Sequence, residues 1–178
     1  MYQDIIEFWF NEISPKQWWQ KSPEFDLMIA ERFGDLHRQA GHGELYTWRT
    51  EAMGRLAEII VLDQFSRNIY RDSPLAFALD PMALALAQEA VANDVDQQLE
   101  PVHKIFLYTP YMHSESLLIH QQAEKLFRVE GLEDNYQFEL KHKAIIERFG
   151  RYPHRNHILA RASTDEEITF LREPGSSF

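Results

Sequence analysis

Between Met53 and Arg71 one helical face changes from apolar to charged without a break, and few folds accommodate such a stripe. An α-helix turns by about 100° per residue, so with Met53 at zero Leu56, Ala57 and Ile60 fall at roughly 300°, 40° and 340°. Asp63, Gln64, Arg67, Asn68 and Arg71 continue at roughly 280°, 20°, 320°, 60° and 0°. A face that starts as core ends as acid, amide and guanidinium. Ile59, Leu62, Phe65 and Ile69 occupy the other side, which leaves the helix little room for water. Buried polar groups need partners, and buried charges need them doubly. The chain must therefore enclose a polar network or a polar cavity.

The remaining apolar spacing is also helical, and no period-two strand stands out. Asp4 to Phe10 reads as a short helix, and Ser22-Pro23 caps and opens another that reaches about Ala40, ended by Gly41 and Gly43. Thr50 begins the central helix. Asp80-Pro81 repeats the cap-plus-proline pattern ahead of an alanine-rich helix to about Asn93. Glu100-Pro101 opens a helix broken near Thr109-Pro110, and Ser114 caps one to about Val129, before Gly131. Asp134 to Phe149 is followed by Gly150 and by Pro153, which starts a short helix through Ala160. Ser163 with Glu166 and Thr164 with Glu167 are overlapping capping boxes. With no linker and no low-complexity stretch, residues 1–178 read as a single all-α domain of seven to nine helices in antiparallel helical hairpins.

At 178 residues with 44% hydrophobic and 13% aromatic content, the chain can bury a substantial core. No apolar run nears the roughly 18 residues of a membrane span, and Met-Tyr-Gln-Asp-Ile-Ile-Glu lacks a basic leader, so neither a transmembrane helix nor a signal peptide is expected. The absence of cysteine excludes disulfides, thiolate metal sites and cysteine nucleophiles, and fits a cytoplasmic protein. A net charge of −10 argues against nucleic acid and anionic membranes as partners. The charge is uneven: Arg148 to Arg161 holds four arginines, two histidines and no acid.

Three constellations carry chemistry. Asp63, Arg67 and Arg71 lie four apart, where an acid orients a guanidinium and leaves donors for an anion; an inter-helix salt-bridge network explains the pattern equally well. Arg148, Arg151, His154, Arg155 and Asn156 surround the Gly150–Pro153 turn, where free N–H groups and arginines attract anions. His113-Ser114-Glu115 offers a histidine that a carboxylate can orient as a proton carrier, although a helix start also explains Ser114 and Glu115. His113, Glu115, His142 and His154 show no metal-site spacing, and no cofactor fingerprint occurs. Trp9, Trp18, Trp19 and Trp48 read as packing residues.

Residues 63–71, 108–115 (Tyr-Thr-Pro-Tyr-Met-His-Ser-Glu), 148–156 and 174–178 (Pro-Gly-Ser-Ser-Phe), in that order, resemble the signature of a bacterial family. It is the one catalogued as domain of unknown function nine-hundred-and-twenty-four. The resemblance implies a right-handed tetratricopeptide-like helical array and brings no activity or catalytic residue with it.

The residues themselves lead to a helical protein with a central pocket for an anionic small molecule or a peptide carboxylate. Asp63, Gln64, Arg67, Asn68, Arg71, Arg148, Arg151, Arg155 and Asn156 would line it. A cysteine-free hydrolase or transferase is the rival, its catalytic candidates being His113, Glu115 and His154, with His113 or His154 as proton carrier and Glu115 or Asp63 orienting it. A protein-interaction module is the third class. The three motifs are expected to meet in space, with Asp63 against Arg148, Arg151 or Arg155 and Arg67 or Arg71 beside His113 or Glu115.

Overall fold

All the predicted helices but the one from Pro153 to Ala160 have a counterpart in the computed structural model, which describes residues 1–178, and no strand is present. The α-helices are α1 (Tyr2–Glu7), α2 (Pro23–Gly41), α3 (Ala52–Ile60), α4 (Ser66–Ile69), α5 (Asp80–Ala92), α6 (Pro101–Met112), α7 (Leu117–Leu126), α8 (Glu133–Phe149) and α9 (Asp165–Phe170). A π-helical segment, Val61–Phe65, joins α3 to α4 into one rod, so the chain folds as eight helical rods in one domain. Within α5–α8 each helix packs on the next, and α3 lies against α1, α5 and α6. Lengths of 13, 12, 10 and 17 residues for α5–α8 set no fixed repeat.

Aromatic side chains dominate the centre. Phe8 lies 4.9 Å from Phe33, Phe33 is 5.1 Å from Phe65, and Trp9 is 5.5 Å from Phe106, ring centre to ring centre. Such tilted, stacked and edge-on pairs stabilise the core beyond the area they bury. Trp18 leans on this cluster and donates to the Trp9 carbonyl at 2.8 Å, whereas Trp19 stays largely exposed.

Local departures from the predicted boundaries have identifiable causes. The central helix begins at Ala52 rather than Thr50, because Tyr46–Thr50 forms a 3₁₀ turn beneath it. Gly54 permits that approach: a Cβ there would sit 2.1 Å from the Trp48 carbonyl oxygen. Pro110 does not break α6, which runs on to Met112. Proline deprives only the Phe106 carbonyl of its donor, and Thr109 and Tyr111 carbonyls then accept from His113 and Ser114 N–H at 3.0 and 3.2 Å. Asp80 stands inside α5 rather than capping it, and Ser116 rather than Ser114 precedes α7. Of the overlapping capping boxes only Thr164 with Glu167 forms, because Ser163 binds Asn156 and Glu166 binds Arg148. Residues 153–155 make one 3₁₀ turn in place of a helix to Ala160. The stretch Pro74–Ala92 reaches a mean hydropathy of 1.4, more apolar than the sequence reading allowed, and packs inward through Ala83, Ala87 and Ala90.

Candidate functional site

The predicted stripe splits at the π-helical segment. A π turn inserts a residue into the helical ladder and shifts the register beyond it. Asp63, Gln64 and Arg67 face α5 and α6, while Asn68 and Arg71 turn to α2, where both bond the Asp26 carboxylate. The five residues expected on one face thus serve two places.

Asp63 is the buried hub. Its carboxylate accepts from His113 Nδ1 at 2.7 Å and from Gln64 Nε2 at 2.6 Å, and Arg67 Nη1 lies 3.1 Å away. Burial alone would raise its pKa, but the Arg67 charge and the hydrogen bonds from His113 and Gln64 outweigh burial and hold it far below the usual carboxylate range. An ionised carboxylate only accepts, so His113 Nδ1 carries the hydrogen and Nε2 keeps its lone pair. Nε2 makes no hydrogen bond within the protein. Burial and then the Arg67 charge depress the His113 pKa below 6.5 against the pull of Asp63, so the ring is neutral at pH 7.

Arg67 also grips Asp80 with both terminal nitrogens, at 2.9 and 3.0 Å. Asp80 in turn accepts from Arg155 Nη1 at 3.4 Å, completing an Asp63–Arg67–Asp80–Arg155 chain. Arg155 is 6% exposed, sits 4.5 Å from the Phe77 ring centre and 4.8 Å from that of Tyr152, and leaves its Nε buried without a partner. It spends one donor of five on the protein.

An open cleft of about 390 Å³ reaches the Asp80–Arg155 end of this chain, and Asp63 and Arg67 lie behind its wall. Asp80, His113, Ser114, Glu115 and Arg155 form its polar end, and Phe77, Leu84, Pro110 and Leu159 are among its other walls. Glu115 does not reach into the cleft unpaired: Arg161 clamps it at 2.6 and 2.9 Å and the Tyr152 N–H donates to it at 2.7 Å. Burial would raise its pKa, but these donors lower it. A second cavity of about 400 Å³ between α1 and α2 holds the Arg32–Glu12 and Met1–Asp4 pairs and a Glu7 that accepts from Asn11, which leaves it no free cation.

The acid-free segment does not act as one basic patch. Arg148 pairs with Glu166, and Arg151 grips Glu167 at 2.6 and 2.7 Å. Asn156 is buried between Ser163 and Arg161. His154 lies outside the cleft with its ring 5.5 Å from Tyr152, and burial lowers its pKa to about 4. Asp63 touches none of Arg148, Arg151 and Arg155, because His113, Gln64 and Arg67 already fill its oxygens. The link to Arg155 runs instead through Asp80. Sequence reasoning passed over Asp80 and Arg161: the cap-plus-proline pattern gave Asp80 a complete local explanation, and Arg161 lies beyond the dense motif.

The fold and the cleft define an all-helical domain with an open, charge-paired pocket. The chain belongs to the family described as "Bacterial protein of unknown function (DUF924)", whose model matches residues 5–175. A solved structure of a protein of unknown function, ATU0120 from Agrobacterium tumefaciens, is similar over 96% of both chains, at 37% identity with a TM-score of 0.90. No curated protein matches the chain.

Proposed function

We propose that the cleft binds a small organic monoanion, a carboxylate with an apolar body, through the free donors of Arg155. Arg155 carries this reading: it lines the cleft and gives the protein a single hydrogen bond, a long one of 3.4 Å from Nη1 to Asp80. A guanidinium with terminal donors to spare gains charge-assisted hydrogen bonds from a ligand oxygen. The charge balance narrows the ligand. Asp63, Asp80 and Glu115 face Arg67, Arg155 and Arg161, three against three, so each further negative charge on a ligand is uncompensated and a monoanion is opposed less than a phosphate dianion or a nucleotide. A volume of about 390 Å³ suits a small molecule and is too short for an extended peptide.

Calorimetric titration with butyrate, benzoate, sulfate and phosphate tests the proposal. Butyrate or benzoate is expected to saturate with Kd on the order of 1 mM or tighter, ahead of the inorganic anions. Arg155→Gln should weaken that binding by about tenfold or more, as expected for losing a charged hydrogen bond. Failure of both carboxylates to saturate, or unchanged binding in a folded Arg155→Gln variant, would remove the reading.

A further inference from the structure

His113 sits in the same cleft with a neutral ring and a free Nε2, and nothing in carboxylate binding requires a histidine there. Its placement is unusually constrained. Tyr152 Oη donates to the Met112 carbonyl at 2.5 Å, and His120 Nε2 donates to the Ser114 carbonyl at 2.8 Å. Both backbone neighbours of His113 are therefore held by side chains from below. His120 is itself fixed by Glu139 at 2.7 Å, both fully buried. Glu115, one residue further on, is held by Arg161 and by the Tyr152 N–H. Asp63 then fixes the ring's tautomer. Several elements converge on one short segment, and they leave the His113 Nε2 lone pair without a protein partner. Such layered support is what a proton-transferring imidazole needs, since its ring must be aimed before it is useful.

We propose that His113 is the general base, positioned by Asp63, of a hydrolase acting on small carboxylic esters. The inference rests on the carboxylate reading above, because the bound carboxylate becomes the acid product. As the oxygen of a water bonds to the ester carbonyl carbon, its proton passes to His113 Nε2. The carbonyl π electrons move to the carbonyl oxygen, which the Arg155 donors stabilise. The intermediate then collapses: the C–O bond to the alcohol breaks, and the imidazolium Nε2–H returns its proton to the departing alkoxide. Carboxylic acid and alcohol leave, and His113 is neutral again. An ester fits better than an amide because its carbonyl carbon is more electrophilic and an alkoxide leaves more readily than an amide anion. Asp63 is a positioning residue, as are Tyr152 and His120.

The test follows hydrolysis of p-nitrophenyl butyrate, with butyrate binding measured on the same samples. Wild type should hydrolyse the ester with kcat/KM reduced about 10² to 10⁴-fold in His113→Ala and His113→Gln. Asp63→Asn should lower kcat with KM little changed and move the pH profile. In wild type the rate should rise with pH to a plateau, with a midpoint below 6.5. Asp63, Arg67 and Asp80 face the ring from the central rod and α5, and His142 and His154 add charge nearby when protonated. Butyrate binding with no ester hydrolysis above the His113→Ala level overturns the base assignment and leaves the binding reading standing. Hydrolysis that survives in both His113 variants also overturns it. Loss of butyrate binding in wild type removes the binding reading first.

Discussion

Replacing Asp80 with alanine severs the chain of charges at its middle. The carboxylate neutralises Arg67 through contacts of 2.9 and 3.0 Å and Arg155 through one of 3.4 Å. Breaking a buried pair from one side costs about 3–5 kcal/mol, because the stranded charge stays buried. Asp80 and Arg67 retain 17% and 20% exposure, and Arg67 keeps Asp63, so their share falls below that range. Arg155, at 8%, loses its one anionic partner. A loss of about 3 kcal/mol is the expected sum, read as a shift in urea midpoint at constant m-value. Asp80→Asn keeps an acceptor and should cost about half as much. Adding Arg155→Met to Asp80→Ala should recover about 1–2 kcal/mol, a coupling that a double-mutant cycle isolates. A loss under about 1 kcal/mol, with additivity within about 0.5 kcal/mol, would refute the reasoning by showing the pairs to be solvated and independent.

Gly54→Ala should destabilise by about 3 kcal/mol or more in the same urea assay, since its Cβ would meet a backbone oxygen at 2.1 Å and backbone cannot rotate aside. Arg49→Ala strands Glu58, a fully buried carboxylate gripped at 2.7 Å by two guanidinium nitrogens, and should cost about 3 kcal/mol, with Arg49→Ala/Glu58→Leu recovering most of it. Stability should also fall on acidification. Burial depresses His154 to about 4 and His142 to about 3 from 6.5, so the unfolded chain takes up protons first, and a few kcal/mol disappears as pH drops from about 6.5 to those values. Urea midpoints that stay flat between about pH 7 and 4.5 would contradict the buried, neutral state of both rings.

The helices were legible because caps, prolines and apolar spacing are local signals. Ser22 shows this: its Oγ accepts from the Phe25 N–H at 3.2 Å, as the cap-plus-proline pattern predicts. The ends that moved were governed by contacts from outside the segment, such as Trp48 beneath Gly54. The polar stripe told that charged groups are enclosed, but its rotation assumed uninterrupted α geometry. The π turn at Val61–Phe65 sent Arg71 and Asn68 to Asp26, a partner more than forty residues away that no local pattern marks. The dense arginine motif misled for a related reason. Arg148 and Arg151 find Glu166 and Glu167 just downstream, so only Arg155 reaches the cleft with donors to spare. The sequence left His113 a choice between Asp63 and Glu115, and α6 packing against the central rod, fifty residues away in the chain, decides for Asp63.

Nitrogen-15 NMR of the His113 ring, followed through a pH titration with and without butyrate, addresses the cleft most directly. The expected spectrum shows hydrogen on Nδ1, a titration midpoint below 6.5, and a shift of the Nε2 resonance when butyrate is added. Hydrogen on Nε2, or a ring that titrates near 6.5 and ignores butyrate, would contradict both the Asp63–His113 arrangement and the ligand site built on it.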